Sequence, residues 1–156
     1  MNETVQLAKA NNVLVGAHPS LPDKQGWGRR EMVMEPDELA SCFIYQVGAL
    51  TGFLQLHGVR LNHVRQLLCF RERGLPQNVL MHFAEQIKPH GAVYGMTARD
   101  MALARAVVGV SKLYNVPFMG LAGACHQAAA QELGVPFIAG PAFVIQFSFF
   151  VEFELV

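Results

Sequence analysis

Residues 36–57, PDELASCFIYQVGALTGFLQLH, constrain the fold most. Pro36 suits a first helical turn, where its missing N–H costs nothing, and no second proline follows in the run. Asp37 and Glu38 complement the positive end of the helix dipole, and Gly58 can stop the helix. Leu39, Phe43, Val47, Leu50 and Leu54 recur at three- and four-residue spacing, which gives one apolar face. Such a helix must lie on a second layer. The runs VLVG (13–16), IKPHG (87–91), PFMGLAG (117–123) and VPFIAG (135–140) read as short strands that supply it. Residues 97–114 and 124–133 read as further helices, the second stopped by Gly134. Thr97 and Asp100 resemble a capping box with Asp in place of Glu. Strands alternating with helices predict an α/β fold, with parallel strands under outer helices. In such folds ligand chemistry gathers at the C-terminal ends of the strands.

A chain of 156 residues is long enough for one domain with a core. Its charged fraction is 15%, against roughly 25% for an average soluble domain. That implies a large apolar interior or a surface that partners cover. Twelve basic and twelve acidic side chains leave no net field to attract nucleic acid or an anionic membrane. Residues 1–12 read as a polar helix and not as a signal peptide. The tail FVIQFSFFVEFELV is too short and too charged for a membrane span. Cys42, Cys69 and Cys125 form no CxxC pair, so they read as small buried residues in a reducing, cytoplasmic setting.

Two histidines follow strand ends, His18 after VLVGA and His90 after IKP. An imidazole there can act as acid, base or metal ligand, or simply be bonded into a loop. Lys88 lies two residues before His90, on the same face of an extended segment. It either meets an anion or snorkels to water. The loop LPDKQGWGRR (21–30) holds Asp23, Arg29 and Arg30. Arginine forks bind carboxylate or phosphate at two points, although a solvated charged loop is the plainer reading for one of the pair. Tyr94 and Gln46 are weaker candidates, and Gln46 can serve only to satisfy a neighbour. His57, His63, His82 and His126 have no ligand spacing and read as structural or exposed. No nucleophile elbow or phosphate-binding glycine loop is present.

The blocks VLVGAHPSLPDKQGWGRREM, YQVGAL, KPHGAVYG and GLAG, in that order, resemble the LamB/YcsF lactam-utilisation family. That family includes the A component of 5-oxoprolinase. The likeness covers most of residues 2–63 and 87–139. It implies an incomplete (β/α) barrel of the glycoside hydrolase/deacetylase type. It also implies ATP-dependent opening of 5-oxoproline to glutamate, together with subunits B and C. His18, Asp23, Arg29, Arg30, Lys88, His90 and Tyr94 fall on its motif positions. His90 or His18 is then expected as base, Lys88 beside developing negative charge, and an arginine on the substrate carboxylate. ATP would be bound by partner subunits or by a segment that the chain lacks. A divalent metal between His18, His90 and an acidic residue is the rival expectation, and a non-catalytic fragment or partner subunit is the other.

The pattern departs from the family in three places. Two blocks expected before MNETVQLA, which carry acidic residues and a histidine of the pocket, are absent. Residues 64–86 interrupt a motif that deletion would restore as LNHIKPHGAVYG. Valine codons begin GT and one glutamine codon ends AG, so the segment reads as an insertion or a retained intron. Residues 140–156 form an atypical tail whose odd positions from Phe143 to Leu155 are all apolar, as in a strand.

Overall fold

The computed structural model describes residues 1–13, 15–59, 61 and 86–140. The predicted insertion lies outside these residues except for Gln86, and the predicted tail except for Gly140. His63, Cys69 and His82 also lie outside them. The elements are α1 (Asn2–Ala10), α2 (Pro36–Leu56), α3 (Ala92–Arg99), α4 (Met101–Tyr114), β1 (Phe118–Leu121), α5 (Cys125–Leu133) and β2 (Phe137–Gly140).

β1 and β2 are parallel, with Phe118 opposite Phe137. Ile87 bridges to Phe118, and Ala17 bridges to Ile87, both in the parallel sense. The layer therefore runs in chain order, residue 17, residue 87, β1, β2. Its first two members are shorter than the sequence predicts. The expected strand 87–91 contracts to the single bridged residue Ile87, and in place of the expected strand 13–16 the bridge falls on Ala17, one residue beyond it. Pro19 and Pro89 each stand two residues beyond a bridge. Neither has an N–H to extend the ladder, so both segments leave the sheet there. The freed backbone carries His18 and His90.

The predicted stripe of α2 is the buried one: Leu39, Phe43, Val47, Leu50 and Leu54. By length and composition alone α2 could cross a membrane, but this stripe packs into the core with Ile87, Phe118 and Val107. The predicted helix 97–114 starts earlier and is divided. Asp100 is extended (φ −115°, ψ 119°), and its carboxylate accepts from the N–H groups of Ala102 and Leu103 at 2.8 and 3.1 Å. It is the N-cap of α4, a role worth about 1 kcal/mol. Thr97 caps nothing. It is buried in the last turn of α3 and donates its hydroxyl proton to the Val93 carbonyl at 2.7 Å. Gly134 ends α5 in the left-handed conformation, as expected. Cys42 and Cys125 are free and only partly buried.

Candidate active site

The turn after each bridge is braced from outside the sheet. Gln46, on α2, grips Ser20 at both ends. Its Oε1 accepts the Ser20 N–H at 3.0 Å, and its Nε2 donates to the Ser20 carbonyl at 2.7 Å. The N–H of His90 donates to the Pro19 carbonyl at 2.9 Å, which ties the two turns together. The result is a direct meeting of rings, with His90 Nδ1 3.0 Å from His18 Nε2. The rings are edge-on, with centroids 4.8 Å apart.

The outer nitrogens of this dyad both face carbonyls. His18 Nδ1 lies 2.7 Å from the Lys88 oxygen, and His90 Nε2 lies 3.0 Å from the Trp27 oxygen. A carbonyl only accepts, so each outer nitrogen carries the hydrogen. Two neutral imidazoles have then committed their protons, and two lone pairs would face one another across the inner contact. The contact closes only with an added cation. Burial draws the pKa of His18 down to about 4, against the opposing pull of its bond to the Lys88 carbonyl. Positive charge at His90 and Lys88 pushes it down further. His18 is thus the neutral partner, and its inner nitrogen is an acceptor.

The loop places the other candidates differently from the sequence reading. The Asp23 carboxylate is buried and takes Arg30, in a fork at 3.1 Å from Nε to both oxygens and through Nη2. The Arg30 guanidinium pulls the Asp23 pKa down to about 2. Asp23 and Arg30 are therefore paired with each other, the carboxylate buried and the Arg30 side chain 61% exposed. Arg29 is exposed and makes no ion pair among the described residues. Lys88 is half-buried, and its charge reaches His18. Tyr94 stacks edge-on against His126, with centroids 5.0 Å apart. Its hydroxyl is buried with no partner among the described residues, and burial raises its pKa.

Sequence reasoning missed the part played by Trp27 and Gly28, because both act through backbone carbonyls. The signal available was the spacing of glycines 26 and 28 opposite Gly91. Among the described residues no three or more His, Cys, Asp or Glu side chains gather as a metal cluster.

The sequence model of the LamB/YcsF family matches residues 1–67 and 78–144. The chain belongs to the LamB/YcsF family. It is 48% identical over 140 residues to the lactam utilization protein lamB of Emericella nidulans, covering 89% of this chain and 46% of that protein. It is 38% identical over 137 residues to the A component of 5-oxoprolinase from Staphylococcus saprophyticus, covering 86% and 45%. A crystal structure of the lactam utilization protein from Thermus thermophilus superposes with a TM-score of 0.70 at 35% identity. That match covers 88% of this chain and 47% of the other. The chain thus spans about half the length of the relatives it matches. Both halves of the histidine dyad fall inside the family match.

Proposed function

We propose that this chain contributes a proton-transfer centre to the opening of a small lactam, 5-oxoproline, to glutamate. The parallel layer is read as an arc of a (β/α) barrel wall, and the dyad sits where such walls present catalytic groups. The carrying observation is the inner contact of His18 and His90, which two neutral rings cannot satisfy. With a third proton the pair is one acid. This alters the expected role of the histidines: no ring nitrogen has a free lone pair, so the dyad is better suited to donating than to accepting. Ring opening forms a bond from water oxygen to the amide carbon and breaks the carbon–nitrogen bond, and the proton that water sheds restores the one given to the nitrogen. The departing nitrogen needs a proton, which the dyad can give once one of its contacts opens. Lys88 supports negative charge on the carbonyl oxygen. Arg29 is the arginine left for the substrate carboxylate, since Arg30 is committed to Asp23.

The chemistry that bound ATP would supply is a phosphoryl group to activate the amide oxygen, with ADP and phosphate as products. The chain has no glycine-rich phosphate loop, so its binding is assigned to subunits B and C or to residues beyond those described. A second reading rests on the same contact. Metal-binding histidines commonly give their outer N–H to a carbonyl, as both rings do here. His18 and His90 would then hold a divalent ion that polarises the lactam carbonyl.

The test is production of glutamate from 5-oxoproline and ATP, with this chain standing in for the A component beside subunits B and C. The same assay is run on a full-length family member that carries the KPHG block. His90→Ala and Lys88→Ala in the full-length protein should each lower turnover about ten-fold or more. Wild-type rates in both would remove the dyad and the lysine from the reaction. Turnover by the full-length protein but not by this chain would make this chain a non-catalytic segment.

A further inference from the structure

We infer that Asp23 and Arg30 are positioning residues for His90, acting through the backbone of the loop that they close. This rests on the reading of the dyad as the reactive centre and reassigns both residues away from substrate binding.

The loop is built from the Asp23 carboxylate outward. One oxygen accepts the Gly26 N–H at 3.0 Å, and both engage Arg30. The Asp23 carbonyl accepts the Gly28 N–H at 3.0 Å, and the Gly26 carbonyl accepts the Arg29 N–H at 2.9 Å. These bonds force residues 27 and 28 into the left-handed region, with φ of 55° and 65°. Trp27 is no glycine, and a large side chain takes that conformation only when its surroundings impose it. Its indole gains little in return, being 63% exposed. What the conformation delivers is two carbonyls aimed inward. That of Trp27 meets His90 Nε2 at 3.0 Å, and that of Gly28 accepts the Ala92 N–H at 2.9 Å. Trp27 thereby fixes which nitrogen of His90 bears hydrogen, and so which nitrogen faces His18. An ion pair that touches neither ring sets the tautomer of one of them. Partners at this remove from the reacting atoms commonly matter ten- to a hundred-fold, roughly, for activity.

A substrate clamp and a positioning pair predict different failures. Loss of a clamp weakens binding and raises KM, whereas loss of a positioning pair misplaces the acid and lowers kcat. The first experiment needs no activity. In the purified chain labelled with nitrogen-15, the exchange of the His90 Nε2–H with solvent is followed by NMR. His126 Nε2–H serves as an internal measure of folding. Asp23→Asn and Arg30→Gln should each speed exchange at His90 about ten-fold or more, with His126 unchanged. Arg30→Lys, which keeps one point of the fork, should fall between. Unchanged His90 exchange in a variant with intact His126 would overturn the inference. Should the first two variants unfold, as His126 would report, Arg30→Lys decides in the same way. In a full-length family member with turnover, Asp23→Asn should lower kcat about ten-fold with KM held within about two-fold. A raised KM with kcat preserved would restore the clamp. Failure of lactam turnover altogether would leave the exchange result standing, so the two readings fall separately.

Discussion

Among the described residues, two histidine sites differ in a countable way. His126 is fully buried on α5. Its Nδ1 accepts the Leu121 N–H at 2.9 Å, so its Nε2 carries the hydrogen and gives it to Thr97 Oγ1 at 2.7 Å. Thr97 passes its own hydrogen to the Val93 carbonyl. One neutral ring satisfies every partner. The dyad of His18 and His90 has carbonyls at both outer ends and is one cation short when both rings are neutral. A hydrogen-bond count that closes on one neutral ring marks a residue that holds the fold, and one that needs an extra proton marks a pair suited to proton transfer. Burial alone would not separate them, because it draws both His18 and His126 to a pKa of about 4.

Four experiments break or sharpen this contrast. The largest effect is expected from His126→Ala. It opens a cavity beside Phe118 and strands the Leu121 N–H, at a cost of about 3–5 kcal/mol in chemical denaturation. His90→Ala should cost less than half as much, because the His18 ring it leaves behind is only partly buried; equal losses would erase the distinction.

Acid comes next. The folded-state pKa of His126 lies below its ordinary value of 6.5, so the unfolded chain binds the extra proton first. Stability is full above pH 6.5 and falls as pH drops toward 4, by about 3 kcal/mol for a shift of this size. His126→Gln should roughly halve the slope in a titration of unfolding free energy, the remainder coming from His18, whose pKa is drawn equally low, and an unchanged slope would remove His126 as a source.

Gly120→Ala is the third. A Cβ there would lie 2.7 Å from the His126 ring, so repacking should cost about 1–3 kcal/mol and shift the His126 ring resonances while leaving those of His90 in place. The smallest effect is a count. Nitrogen-15 spectra should show one ring N–H on His126, at Nε2, and on the dyad the two outer ones, at His18 Nδ1 and His90 Nε2. A third, inner N–H marks the shared proton, and one that emerges only after a chelator is added would favour the metal reading.

The same contrast bears on what a sequence carries. The α2 stripe was readable because five apolar residues repeat with the helical period and nothing tertiary is needed to see it. The meeting of His18 and His90 was readable in outline, since strand ends in a parallel layer converge. The division at Asp100 was not, because Thr97 and Asp100 imitate a capping box and only burial of Thr97 against His126 reveals the difference. Asp23 and Arg30 carry the residue types of a ligand site, and nothing in their seven-residue separation announces that they bind each other. The role of Trp27 lies in a carbonyl, which every residue has. His126 shows no spacing signature, and its only hint was the small residue, Gly120, that leaves room for its ring.

The contact between Gly28 and Gly91 has a consequence for anyone redesigning the loop. A side chain at position 91 would begin 2.4 Å from the Gly28 carbonyl oxygen, so neither backbone can be altered without moving the other. Libraries aimed at new ligands should keep both glycines and place their diversity at Lys24, Gln25 and the indole of Trp27, all of which are exposed.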